Sequence, residues 1–98
     1  MKYRRDLPVL VVDDDAAVRE LLRRILEKES YAVVEAQHGR AALERMGEQA
    51  PGAILLDLMM PVMNGWDFLS EFRQREGLHE VPVILLSGTG DVREQVGA

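Results

Sequence analysis

The sequence predicts an α/β fold built on a doubly wound parallel sheet. Short runs rich in valine and leucine alternate with segments whose apolar residues recur at helical spacing. Strands separated by helices need crossover connections, which give a parallel sheet with helices on both faces. The chain has 98 residues, of which 47% are hydrophobic and 30% are charged, as is typical of one globular domain. We therefore expect a single domain over residues 1–98.

Four segments are predicted to be strands. They are 9–12 (VLVV), 31–36 (YAVVEA), 53–56 (AILL) and 81–87 (VPVILLS). The first, third and fourth are apolar throughout, which is typical of strands covered on both faces. The second is more polar, so we expect it at an edge of the sheet.

Helices are predicted between these strands. After the first strand, apolar residues at i, i+3, i+4, i+7 and i+8 indicate an amphipathic helix with Asp15 as its N-cap. We predict further helices over 39–49 and from Gly65 to Gly77, and a fourth beginning within 91–96. The apolar residues of the first helix are Val18, Leu21, Leu22, Ile25 and Leu26.

Acidic residues stand where the predicted strands end. Asp13 and Asp14 follow the first strand, Asp57 follows the apolar run of the third, and Ser87 ends the fourth. Sites in such sheets lie at the carboxyl ends of strands, near the switch in strand order. If the first and third strands are neighbours, three carboxylates meet, and either a proton or a cation must offset their repulsion. Oxygen ligands of this kind make Mg²⁺ the natural candidate.

Structural explanations compete with this site. Asp15, and in part Asp14, can simply complement the positive end of a helix. That explanation does not extend to Asp13 or Asp57. Asp57 taken alone could be an ordinary turn aspartate, but its coincidence with the other acids and Ser87 favours a site.

The predicted site suits chemistry at phosphorus. A carboxylate beside Mg²⁺ can attack phosphorus and form an aspartyl phosphate. The hydroxyl of Ser87 and the backbone N–H of Gly88 could bind phosphate oxygens, and Gly88 leaves room for a close approach. Asp57 would then end an apolar strand because a nucleophile benefits from rigid placement on the floor of the pocket.

Three motifs resemble the receiver domain of bacterial two-component response regulators. They are "VLVVDDD", "LLDLMMPVMNG" and "PVILLSG", in this order and with helices between them. The resemblance covers essentially the whole chain. It implies a flavodoxin-like strand order, 2-1-3-4, and a signalling phosphoacceptor in place of an enzyme, with at most self-catalysed phosphotransfer and dephosphorylation.

The resemblance also assigns roles to individual residues. It implies that Asp57 accepts a phosphoryl group from a histidine kinase or a histidine phosphotransfer protein. Asp13 and Asp14 would hold Mg²⁺ with Asp57 and the backbone carbonyl of Met59, which would also adjoin the phosphate. Ser87 would be the switch hydroxyl that moves towards the phosphate and changes partner binding.

The sequence departs from the pattern of this family at its C-terminal end. The family continues with a fifth strand ending in a lysine and with a fifth helix, whereas this sequence ends in "DVREQVGA". We expect Lys2 and Lys28 to lie at the opposite end of the sheet, where neither replaces that lysine. The expectation is therefore a domain incomplete at its C-terminus, impaired in phosphorylation, with 81–87 as an exposed edge open to self-association.

Two other functions remain as alternatives. One is a non-phosphorylated protein-interaction module on the same fold. The other, less favoured, is a Mg²⁺-dependent phosphatase acting through an aspartyl phosphate, because such enzymes place a second acid two residues after the nucleophile, where this chain has Met59. A nucleotide hydrolase is rejected because the sequence has no phosphate-binding G-x-x-x-x-G-K-[ST] loop.

Composition excludes several further classes. The net charge of −5 argues against direct binding to nucleic acid or anionic lipid. The absence of cysteine excludes disulfides and thiolate metal sites. No apolar run approaches the roughly 18 residues of a membrane span. We expect a cytoplasmic protein.

Overall fold

A computed structural model describes residues 5–57, 65–74 and 81–86. Within these ranges the chain alternates between strands and helices, as the sequence predicts. The predicted helix within 91–96, residues 75–77 of the third helix and the last residue of the strand 81–87 lie outside them. The elements are β1 (Val9–Val12), α1 (Ala16–Lys28), β2 (Val33–Ala36), α2 (Gly39–Glu48), β3 (Ala53–Asp57), α3 (Gly65–Arg73) and β4 (Val83–Leu86).

The four strands form one parallel sheet in the order β2-β1-β3-β4. This is the predicted doubly wound, flavodoxin-like order, and β2 lies at an edge as its polar composition indicates. Val12 is in register with Ala36 on one side and with Leu56 on the other. Because the strands are parallel and in register, their carboxyl ends meet along one edge of the sheet.

The main core lies between the sheet and the helices α2 and α3. Alternate residues of each strand point to this face, as the period of a strand requires. Phe68 and Phe72 of α3 are completely buried, with ring centroids 5.8 Å apart and ring planes 10° apart. The buried cluster consists of Leu10, Val12, Ala36, Ala42, Leu43, Met46, Ile54, Leu56, Phe68, Phe72, Val83 and Leu85.

The opposite face is covered less completely. Helix α1 contacts β1 and β2, and none of its residues is fully buried. Leu21 and Ile25 of α1 are 58% and 52% exposed, and Ile84 of β4 is 53% exposed. The apolar pattern of the fourth strand is typical of coverage on both faces, but Ile84 is exposed because α1 lies over β1 and β2, in the other half of the sheet.

Both ends of α1 are closed by specific contacts. The Asp15 side chain accepts the N–H of Ala17 at 2.9 Å, which confirms the predicted N-cap. At the other end the N–H of Tyr31 donates to the carbonyl of Leu26, and that of Ser30 donates to Glu27, each at 3.0 Å. Ser30 has a φ of 70°, so this end is a Schellman motif with serine at the position that favours glycine.

His38 directly precedes α2, and no motif in the sequence gives it a role. Its Nδ1 accepts the N–H of Ala41 at 3.0 Å, so His38 is the N-cap of this helix. His79 lies outside the described residues. In the part of the chain that the structure describes, no helix is long and apolar enough to cross a membrane.

Candidate functional site

The carboxylates of Asp13, Asp14 and Asp57 converge at the carboxyl edge of the sheet. One oxygen from each lies within 4.8 Å of the other two. Asp13 is buried, Asp57 is partly buried and Asp14 is exposed. The convergence follows from the strand order, because β1 and β3 are neighbours and both end at this edge.

The backbone and its turns fix Asp13 in this position. Its N–H donates to the carbonyl of Ala36 at 3.2 Å, which extends the pairing of β1 with β2 by one residue. Its Oδ1 accepts the N–H of Asp15 at 2.9 Å. The side chain is therefore held within a tight turn between β1 and α1.

Asp57 is placed by the sheet itself. It is the last residue of β3 and is in register with Leu86 of β4. The preceding residue, Leu56, is fully buried. The carboxylate therefore stands at the end of a strand that is anchored in the core.

Arg19 is a site neighbour that the sequence analysis missed. Its Nη1 donates to the backbone carbonyl of Asp13 at 2.7 Å, and its Nε donates to Glu35 at 3.2 Å. Two signals were present in the sequence: an arginine one turn into α1, and a glutamate within an otherwise apolar strand. Neither signal says which backbone carbonyl the guanidinium reaches.

The electrostatics of the cluster raise the affinity of Asp13 for a proton. Burial raises the pKa of Asp13 above its ordinary value of 3.8, against the opposing effect of the hydrogen bond from the Asp15 N–H. The negative charges of Asp57 and Asp14 raise this pKa further. A deprotonated cluster therefore carries repulsion that a bound cation would relieve.

A cavity of about 420 Å³ opens onto these carboxylates. Asp13, Asp14 and Asp57 supply oxygen donors on one side. Oxygen donors with space for water ligands are the coordination that Mg²⁺ prefers in proteins. The residues present therefore fit a hard divalent cation. The cavity is lined by Asp13, Asp14, Asp15, Val18, Leu22, Asp57 and Leu86.

Several predicted site residues cannot be compared with this geometry. Met59, Ser87 and Gly88 lie outside the described residues, and their assigned roles stay predictions. Lys2 lies outside them as well. Lys28 is in the last turn of α1, the end of that helix away from Asp13.

The sequence and the fold both match known proteins. A family profile described as the response regulator receiver domain matches residues 9–98. The chain belongs to the response regulator receiver family. This confirms the resemblance carried by the three motifs.

Two curated relatives illustrate the sequence match. Response regulator MprA of Mycolicibacterium vanbaalenii is 41% identical over 88 residues, which cover 90% of this chain and 37% of the relative. Transcriptional regulatory protein ResD of Bacillus subtilis is 38% identical over 96 residues, which cover 98% of this chain and 39% of the relative. The receiver chain therefore spans well under half the length of either relative.

Solved structures give the same family from the fold. A response regulator receiver protein from Pseudomonas putida superposes with a TM-score of 0.79 at 33% identity, covering 88% of this chain and 72% of that one. Chemotaxis protein CheY4 of Vibrio cholerae superposes with a TM-score of 0.77 at 30% identity, covering 81% of this chain and 66% of that one. The four-stranded order described above is thus that of a receiver domain.

Proposed function

We propose that this receiver domain accepts a phosphoryl group on Asp57 from a phosphohistidine. The observation that carries the proposal is the convergence of Asp13, Asp14 and Asp57 within 4.8 Å at the carboxyl edge of the sheet. Asp57 is the best placed of the three to be the nucleophile, because it ends an anchored strand and is partly exposed in the cavity. Asp13 is buried and already engaged by the Asp15 N–H.

The reaction is a transfer between two protein side chains. A carboxylate oxygen of Asp57 attacks the phosphorus, an oxygen–phosphorus bond forms, and the phosphorus–nitrogen bond to the donor histidine breaks. The bond's electron pair stays on the imidazole nitrogen, and the ring leaves as neutral imidazole because its other nitrogen already carries a proton. The carboxylate becomes an acyl phosphate, so the phosphoryl group moves without hydrolysis.

Asp13 and Asp14 would hold Mg²⁺ together with Asp57. When bound, the cation would supply neutralisation of charge on the phosphoryl oxygens and on the three carboxylates. Asp13, fixed by the turn into α1, orients one ligand oxygen, and Asp14 presents another from the solvent side. We include the backbone carbonyl of Met59 as a further ligand, and the Ser87 hydroxyl and Gly88 N–H as phosphate contacts.

The partner in this proposal is a sensor histidine kinase or a histidine phosphotransfer protein, and we place the exchange in the cytoplasm. A switch in partner binding would follow from movement of Ser87 towards the phosphate.

Self-association through 81–87 also stays part of the proposal. It is supported by the exposure of Ile84, on a strand that pairs with β3 and has no second partner among the described residues. Light scattering at high protein concentration tests it, and a monomer would contradict it.

The function is tested by intact-mass measurement after incubation with a small acyl phosphate. We expect the mass to increase by one phosphoryl group in the presence of Mg²⁺ and to stay unchanged in EDTA. Asp57→Asn should abolish the uptake. Asp67→Asn is the matched control, because it removes an exposed carboxylate on α3 and should leave the uptake intact.

The same experiment separates the proposal from its alternatives. A folded protein that takes up no phosphoryl group under any condition would contradict the phosphoacceptor role and favour an interaction module. Continuous release of inorganic phosphate without accumulation of a phosphorylated species would favour a phosphatase. Circular dichroism on the same samples establishes that each variant is folded.

A further inference from the structure

Arg19 connects three elements at the acidic edge of the sheet. Its side chain is only 16% exposed. From α1 it donates to the Asp13 carbonyl at 2.7 Å, just beyond β1, and to Glu35 on β2 at 3.2 Å. A planar guanidinium can engage both acceptors at once in a fixed geometry, which a lysine cannot do.

The carbonyl that accepts the Arg19 hydrogen bond lies within the acidic segment. The Asp13 carbonyl belongs to the peptide bond between Asp13 and Asp14, so Arg19 holds the segment that carries two of the three converging carboxylates. A rotation of this peptide would move both side chains relative to Asp57. The backbone N–H of Asp13 is held on the other side by Ala36.

A neighbouring arginine provides the comparison. Arg23 lies one turn further along α1 and also pairs with Glu35, at 3.0 Å, and with Glu27, at 3.6 Å. Glu35 therefore keeps a cationic partner when Arg19 is replaced. Arg19 and Arg23 thus share the Glu35 pairing and differ in the contact with the Asp13 carbonyl.

We propose that Arg19 is a positioning residue for the divalent-cation site. It fixes the Asp13–Asp14 peptide so that both carboxylates face Asp57 at the spacing a single cation requires. This inference rests on the proposed function, since it takes Mg²⁺ as the ligand. Mutation of a residue that orients the ligands of a metal typically weakens metal binding by roughly ten- to a hundredfold.

The first test is calorimetric titration of Mg²⁺ into the wild-type chain, Arg19→Gln, Arg19→Lys and Arg23→Gln. We expect Arg19→Gln to weaken Mg²⁺ binding roughly tenfold or more, Arg19→Lys to weaken it less, and Arg23→Gln to leave it close to wild type. Arg19→Lys also guards against failure of Arg19→Gln to fold. Wild-type affinity in a folded Arg19→Gln would overturn the inference.

The second test needs no metal. Amide hydrogen exchange at Asp13 and Asp15 reports the bond from Asp13 to the Ala36 carbonyl and the bond from Asp15 to the Asp13 side chain. In EDTA, Arg19→Gln should accelerate both, and Arg23→Gln should not. Equal acceleration in both variants would overturn the positioning role in favour of a general loss of the Glu35 pairing.

The outcomes also separate this inference from the proposed function. If the wild-type chain binds Mg²⁺ and Arg19→Gln binds it equally well, only the inference fails. If the folded wild-type chain binds no Mg²⁺, the cation site fails and the inference fails with it.

Discussion

The two faces of the sheet are held by different forces. On the face of α2 and α3, alternate strand residues and two phenylalanines form a closed apolar cluster. On the face of α1, the helix is tied to the sheet by Arg19, Arg23 and Glu35, while Leu21 and Ile84 stay more than half exposed. We infer that the apolar face contributes most of the stability and that the charged contacts position the acids. The predictions below test this division, from the largest expected effect to the smallest.

Phe68→Ala should cost the most stability. The side chain is completely buried between α3 and the sheet, and such truncations cost about 3–5 kcal/mol. Leu21→Ala, on the exposed side of α1, is the control and should cost less than about 1 kcal/mol. Urea unfolding followed by circular dichroism measures both. Similar losses for the two variants would contradict the contrast between the faces.

Asp13→Asn should stabilise the metal-free protein near neutral pH. Because the folded-state pKa of Asp13 is raised, its contribution to stability is fully present below the unfolded value and is lost as the pH rises through the folded value. Asparagine removes that loss, and its oxygen can still accept the Asp15 N–H. The difference in unfolding free energy between variant and wild type should therefore grow in favour of the variant as the pH rises from acid to neutral.

Adding Mg²⁺ should make the wild type more stable than Asp13→Asn. A ligand that binds only the folded state stabilises it, and once the ligand concentration exceeds Kd the gain grows with the logarithm of that concentration. The wild type should gain stability with Mg²⁺, and Asp13→Asn should gain less. Urea midpoints with and without Mg²⁺ measure this, and an equal gain in both proteins would place the cation elsewhere.

His38→Ala should destabilise the start of α2. The substitution removes the acceptor for the Ala41 N–H, and losing an N-cap costs about 0.5–2 kcal/mol. His38→Asn supplies an oxygen that can cap the same N–H, so it should keep most of the stability. Unfolding midpoints of the two variants check this, and equal losses would show that the cap contributes nothing.

Ser30→Gly should give the smallest effect, a small gain in stability. Ser30 has a φ of 70° at the end of α1, which glycine adopts without strain. We expect a gain of about 0.5 kcal/mol, reduced by the greater freedom of glycine in the unfolded chain. Ser30→Ala is the comparison and should give no such gain in thermal unfolding.

Much of the fold and the centre of the site could be predicted from local sequence patterns. The run 9–12 is strand β1 as predicted, and Asp15 caps α1. The convergence of Asp13, Asp14 and Asp57 could be anticipated because it follows from one topological assumption, that the first and third strands are neighbours. The sheet order confirms that assumption.

Features that depend on tertiary placement could not be anticipated in the same way. An apolar strand has the same sequence pattern whether or not a helix covers its second face, so the pattern of 81–87 alone does not give the exposure of Ile84. His38 is an unusual cap, because its acceptor is a ring nitrogen in place of an oxygen. The contact from Arg19 to the Asp13 carbonyl depends on where α1 rests against the sheet, which no spacing in the sequence encodes.

The most direct test of the central claim is to locate the phosphoryl group. Reduction with borohydride converts an aspartyl phosphate to homoserine, which peptide mass spectrometry can assign to a single position. After treatment with a small acyl phosphate and Mg²⁺, we expect homoserine at position 57 and its absence when Mg²⁺ is withheld. Homoserine at position 13 or 14, or at no position in a folded protein, would contradict the assignment of Asp57 as the phosphoacceptor.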